Sequence, residues 1–387
     1  MSMQHHYLMT PGPLSLTDDV KAQMQFDMGS RDQAFKNITA LMRERILDLI
    51  DGCGSHSVVP VQGSGTYGIE AALTSFISSS DRPLVCINGI YGERILKILK
   101  LRGVQAVCIR APSHEALSVI DIAAYLEQDL SITHICFVHC ETTTGVLNPL
   151  EAIVNLATQR GIKTIIDAMS SFGAVDISAK RARFDVLITS SNKCIEGPPG
   201  VAFVIANLDL LRAKEHSMSS FVLDVRDQWK SLEQTGEWRS TPPTHVVQAC
   251  TKALEELSLE GVANRGQRYC SVRDEIIRVT TPYASPLLSA EVRSPVCLAL
   301  TANGIIDTPK DFNKLYLHLV DYNLYIYSKM HAQTRSFRVG CIGAIKPLWI
   351  RLLVYCLKIN FSNACVVIAA RARCILFKIS SPLAFQT

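Results

Sequence analysis

The chain has 387 residues, enough for one large domain and a smaller one. It is 48% hydrophobic and 19% charged, with a mean hydropathy of +0.18, which fits a buried core and excludes a disordered chain. A net charge of +4 is too weak to point to nucleic acid, and no uninterrupted apolar run reaches the ~18 residues of a membrane span.

The first residues, MSMQHHYLMTPGPLSL, lack the apolar core of a signal peptide. The thirteen cysteines are odd in number and form no C-x-x-C pair. Several sit inside apolar runs such as LVCIN and HICFVHC, and they read as buried reduced thiols. The expected compartment is therefore the cytoplasm, and no metal is expected.

From about residue 40 to 205, apolar strand-like runs alternate with helix-periodic stretches. The runs are SVVPV, PLVCIN, QAVCIR, ITHICFVHC, KTIIDA, DVLITSS and VAFVIAN. Between most of them lie stretches such as GIEAALTSFISS, GERILKILKLRG, EALSVIDIAAYLEQDL and LEAIVNLATQRG, several stopping at or just before Gly. This alternation predicts an α/β fold with a mostly parallel sheet covered on both faces. In such a sheet, ligands collect at the carboxyl ends of the strands. A helix, THVVQACTKALEELSLEG, follows Pro242-Pro243. A smaller α+β domain is expected over 266–387, after a large domain over 1–265. Residues 348–387 are apolar, cysteine-rich and almost free of acids, and match neither a capped helix nor an alternating strand.

The strand ends offer Gln62-Gly63-Ser64-Gly65-Thr66, Asn88-Gly89-Ile90-Tyr91, Glu141-Thr142-Thr143-Thr144, Asp167-Ala168-Met169-Ser170 and Ser190-Ser191-Asn192-Lys193. GSGTYG, residues 63–68, spells the dinucleotide fingerprint G-x-G-x-x-G. That site also needs an acid at the end of the second strand to hold the ribose, and the residue there is Asn88. A glycine-rich helix N-terminus still cradles a single phosphate through free N–H groups and the helix dipole. A lysine and an aspartate on adjacent strand ends, beside such a cradle and an aromatic ring, suggest pyridoxal phosphate. The lysine would carry it as a Schiff base, and the aspartate would keep its ring nitrogen protonated.

These stretches resemble the 2-aminoethylphosphonate–pyruvate aminotransferases, pyridoxal-phosphate enzymes of the alanine–glyoxylate aminotransferase-like branch of fold type I. LMTPGPLSL, VQGSGTYGIEAAL, INGIYGERI, HCETTTGVLNPL, IIDAMSSFGAVDI, LITSSNKCIEGPPGVAFVIA, WRSTPPTHVVQAC and SFRVGCIG carry the resemblance, over roughly residues 7 to 345. It implies that Lys193 is the Schiff-base lysine and proton carrier, and that Asp167 is the partner of the pyridinium nitrogen. Ser64, Gly65 and Thr66 become the phosphate cradle, with Asn192 a polar neighbour of the phosphate. Tyr91 is expected against the cofactor ring, Thr143 at its 3-hydroxyl side, and Thr241 at the phosphate of the neighbouring subunit of a homodimer with shared active sites. Arg338 is expected to pair with the acid group of the substrate. The implied reaction is a ping-pong transfer of the amino group of 2-aminoethylphosphonate to pyruvate, with serine or alanine–glyoxylate transamination as the alternative. Cys194 is expected to be a packing residue.

Two departures stand out. Ser328-Lys329-Met330 replaces a Pro-Gly-Lys that the resemblance leads one to expect near the substrate entrance. After CIGAI the pattern ends, and the amphipathic helix expected to close the small domain is not legible. A frame-shifted or alternatively spliced end has this character. It would leave apolar surface exposed, so a catalytically impaired form is a further alternative.

Overall fold

A computed structural model of the chain describes residues 6–213, 220–302 and 306–361. The seven apolar runs become seven strands of one sheet: β1 (His56–Gly63), β2 (Pro83–Ile87), β3 (Val107–Arg110), β4 (His134–Val138), β5 (Lys163–Asp167), β6 (Val186–Ser190) and β7 (Gly200–Asn207). Their order is β1-β7-β6-β5-β4-β2-β3. β7 runs antiparallel to both its neighbours, and every other pairing is parallel. The carboxyl ends of β1 to β6 therefore share one rim, where β7 contributes its first residues.

Helices α1 (Gln33–Asp48), α2 (Gly65–Phe76), α3 (Ile90–Leu101), α4 (Val119–Gln128), α5 (Leu150–Gln159) and α6 (Thr244–Glu260) cover the sheet. Side chains alternate across the pleat, so consecutive strand residues enter opposite cores. Ile135 and Phe137 pack with α1, α4, α5 and α6, whereas Cys136 and Val138 pack with α2 and α3. α3 buries Ile95, Leu96, Ile98 and Leu99 along one stripe. It stops at Arg102, where Gly103 adopts φ +72°, the left-handed cap that a residue without Cβ takes most readily.

α7 (Val262–Thr280) runs from the large unit to the smaller one, and the boundary expected at 265/266 falls inside it. Beyond it lie α8 (Pro309–Val320), α9 (Pro347–Phe361) and an antiparallel sheet of β8 (Ser285–Pro286), β9 (Cys297–Thr301) and β10 (Ser336–Gly340). α9 is the principal departure from the sequence reading. It forms a helix with Trp349, Ile350, Leu353, Cys356 and Leu357 buried in the core of the small unit. The remainder of the anomalous tail, 362–387, lies outside the described residues. The N-terminal arm returns to the small unit, where Tyr7–Leu8 pairs in parallel with Leu324–Tyr325.

Candidate active site

The rim of the sheet holds a cavity of about 440 Å³, within the usual range for a small-molecule site. Ser64, Gly65, Thr66, Tyr91, Asp167, Asn192 and Lys193 all line it. Seven of the ten residues singled out from the sequence thus meet at one place.

GSGTYG forms the turn from β1 into α2. Gly63 has φ +132°, and a Cβ there would lie 2.7 Å from the Tyr67 ring. A Cβ on Gly65 would lie 2.5 Å from the Met169 sulfur. These glycines serve close backbone packing. Ser64 caps α2 in extended geometry, yet its side chain makes no capping bond, so its hydroxyl is uncommitted at the helix end. The dinucleotide alternative meets a second obstacle here. Asn88, where the ribose-binding acid would stand, is buried and donates to Asn148 Oδ1 and to the Glu115 carbonyl, both at 2.9 Å.

Lys193 follows the end of β6. Its Nζ donates to the carbonyl oxygens of Pro11 at 2.6 Å and Gly12 at 3.4 Å. The N-terminal TPGP segment thus crosses the lysine, and a Cβ on Gly12 would come within 2.6 Å of Nζ. Burial lowers the lysine pKa, against smaller opposing pulls from nearby thiols and Asp167. Asp167 closes β5 and is buried. Burial raises its pKa, and the Arg94 guanidinium and the Met169 N–H pull it back toward the ionised form. Asn192 Oδ1 accepts from Ser190 Oγ at 3.0 Å.

The other three residues do not line the cavity. Thr143 is buried; its N–H and hydroxyl both donate to Glu141 Oε1, while Glu141 Oε2 accepts the Tyr91 N–H at 3.1 Å. Arg338 is buried in β10, donates to the Thr142 carbonyl at 2.9 Å and lies 3.5 Å above the Tyr327 ring centroid. Its Nε has no partner among the described residues. Ser328-Lys329-Met330 follows Tyr327 directly. Thr241 is exposed on the outside of the chain.

Sequence reasoning missed Arg94 and the role of Glu141. Arg94 stands one helical turn after Tyr91, a spacing that places both on one face of α3. Glu141 fills the space beside Gly89, where a Cβ would lie 2.2 Å from the carboxyl carbon. Cys194 is fully buried, its thiol donates to the Ser170 carbonyl at 3.1 Å, and burial pushes its pKa up, all fitting a packing role. Among the described residues no group of three or more His, Cys, Asp or Glu side chains could hold a metal ion. No helix of those residues is long and apolar enough to cross a membrane.

The chain is 38% identical over 340 residues to a 2-aminoethylphosphonate–pyruvate transaminase of Pseudomonas putida, covering 87% of this chain and 92% of that one. It is 40% identical over 338 residues to a 2-aminoethylphosphonate–pyruvate transaminase of Burkholderia lata, covering 87% and 89%. The crystal structure of an alanine–glyoxylate aminotransferase from Nostoc sp. superposes with a TM-score of 0.86 at 21% identity, over 94% of this chain and 97% of that one. The pyridoxamine–pyruvate aminotransferase of Mesorhizobium loti follows at 0.83 and 20%, over 97% and 98%. The fold is that of the fold type I pyridoxal-phosphate transferases. Residues 16–276 match the family described as aminotransferase class-V, and the chain belongs to that family.

Proposed function

We propose that the protein is a pyridoxal-phosphate-dependent transaminase that moves the amino group of 2-aminoethylphosphonate to pyruvate, giving phosphonoacetaldehyde and L-alanine. The observation that carries this reading is the meeting of Lys193, Asp167 and the open N-terminus of α2 on one cavity. When bound, the cofactor supplies an aldehyde that condenses with amines and a ring that accepts electrons. The donor set fits it. Ser64, Gly65 and Thr66 offer a hydroxyl and backbone N–H groups to a phosphate, with Asn192 beside them. Asp167 has lone pairs left for the proton on a ring nitrogen, and Tyr91 offers a face for stacking.

Lys193 Nζ is the proton carrier. It takes the proton from the amine-bearing carbon of the donor and, in the second half-reaction, delivers one to the carbon that becomes Cα of alanine. Burial favours the neutral amine this work requires. Thr143, held by Glu141, is assigned to the 3-hydroxyl side of the cofactor ring. Arg338 supplies a planar guanidinium with a free Nε to the acid group of the substrate. The working form is a homodimer in which Thr241 reaches the partner's site. The eleven cysteines among the described residues are all free thiols, which supports a cytoplasmic location. A division into large and small domains near residue 265 accords with the separate core of the small unit.

The test is to incubate the purified chain with 2-aminoethylphosphonate and pyruvate and measure alanine, with taurine and serine as control donors. Alanine should form from the phosphonate and be lost in Lys193→Ala together with the visible absorbance of the bound cofactor. Alanine formed from serine but not from the phosphonate overturns the substrate. A fully active Lys193→Ala overturns the mechanism.

A further inference from the structure

Arg94 touches three separate parts of the proposed cofactor site. Its Nη2 lies 2.7 Å from Asp167 Oδ2, and its Nη1 donates to Thr66 Oγ1 at 3.0 Å. Its Cζ sits 4.7 Å from the centroid of the Tyr91 ring. Nε is buried without a partner among the described residues. The guanidinium is thus a two-pronged strap from the acid at the end of β5 to the hydroxyl at the start of α2. Asp167 Oδ1 meanwhile accepts the Met169 N–H at 3.1 Å. A carboxylate has about four acceptor positions, so two protein donors leave room for a third donor from a ligand.

We propose that Arg94 is a positioning residue of the cofactor site, acting through Asp167 and Thr66 to hold the ring-nitrogen acid and the phosphate cradle in one fixed arrangement. This rests on the pyridoxal-phosphate reading above. A carboxyl group this deeply buried tends to take up a proton. A protonated Asp167 would be a poor counterion for a ring nitrogen. Arg94 is the nearest fixed positive charge, and its planar fork sets the orientation of the carboxylate as well as its charge. The other titratable groups facing Asp167 are Lys193, Cys140 and Glu141, and none of them bridges to the cradle. The same guanidinium also competes with a ring nitrogen for Asp167. Removing Arg94 therefore changes the balance of charge at the bound cofactor in two ways: a competing cation is lost, and Asp167 takes up a proton more readily.

The experiment uses purified wild type, Arg94→Gln, Arg94→Lys and Lys193→Ala. Three quantities are read: the thermal melting of the cofactor-free chain, the dissociation constant for added pyridoxal phosphate, and the pH midpoint of the visible absorbance of the bound cofactor. Arg94→Gln should bind the cofactor about tenfold more weakly or worse. Its midpoint should move from the wild-type value by about half a pH unit or more. Arg94→Lys keeps the charge but loses the second prong, so its midpoint should stay at the wild-type value while its affinity falls by roughly threefold or more. A purely structural Arg94 would lower melting and leave the midpoint of the bound cofactor in place. An Arg94→Gln protein with wild-type affinity and midpoint overturns the proposal. If Arg94→Gln fails to fold, Arg94→Lys decides: wild-type affinity in that variant overturns the strap. The two levels separate cleanly. If wild type binds no cofactor, or Lys193→Ala keeps the wild-type absorbance, the cofactor reading fails and Arg94 falls with it. If both behave as expected and the Arg94 variants match wild type, only the role of Arg94 fails.

Discussion

Lys193 is held by two backbone carbonyls, and backbone cannot be removed by a simple substitution. The device is legible instead through Gly12, where any side chain would collide with the lysine. At the same scale, two buried histidines set an acid limit on the fold. Burial lowers His134 to about 4 and His139 to about 3, from 6.5 in an exposed chain. Between those values and 6.5 the unfolded chain binds protons that the folded chain does not. Stability therefore holds above about pH 7 and falls as the pH drops through 6.5. For His134 alone the loss reaches roughly 3 kcal/mol near pH 4. Denaturant titrations of the cofactor-free protein at several pH values should show this decline, and His139→Gln should make it shallower. A stability unchanged from pH 7.5 to 5 would remove the argument. Lys193, Asp167 and the cradle were legible because each stands at or within three residues of a strand end, and a strand end is readable. Arg94 was not, because its partners lie 28 and 73 residues away and only folding brings them together.

At the scale of elements, strands and helices of the large unit follow from hydrophobic period and stop signals. β7 is antiparallel because only residues 191–199 separate it from β6, too few for the crossover that a parallel strand needs. α9 was hidden for a different reason. Its sequence is apolar on most sides, so the period that marks a buried stripe is blurred: Leu348 is 43% exposed, while Leu353 is fully buried two turns into the same helix. The core of the small unit selects the face that the sequence left ambiguous. Leu353→Ala should therefore destabilise the protein by about 2–5 kcal/mol, and Leu348→Ala by about 0.5 kcal/mol or less. Denaturant midpoints of the two variants check this. Equal small effects would mean that α9 is not seated in that core.

Large apolar side chains are exposed at several places among the described residues. Tyr67, one residue past the cradle, is 56% exposed, and Phe221 and Val222 are 81% and 80% exposed. Phe221 and Val222 line a second hollow with Gln62, Arg239 and Ser240. Gln62 is one residue before the cradle turn, and Ser240 is one before the exposed Thr241. This hollow, of mixed polar and apolar lining, thus includes sequence neighbours of both the cradle and the residue expected to serve a neighbouring subunit. Exposed side chains such as Phe221 and Val222 suit contact with a second copy of the chain, which the proposed sharing of Thr241 requires. Wild type should sediment as a dimer. Phe221→Asp combined with Val222→Asp should shift it toward monomer and weaken pyridoxal phosphate binding, because each site would then lack its neighbour's threonine. Thr241→Ala should leave the dimer intact and weaken cofactor binding by about tenfold, the effect of losing one hydrogen bond to a charged phosphate. A wild-type monomer with full transaminase activity, or a dissociated double variant that binds the cofactor as tightly as wild type, would show that each chain completes its own site.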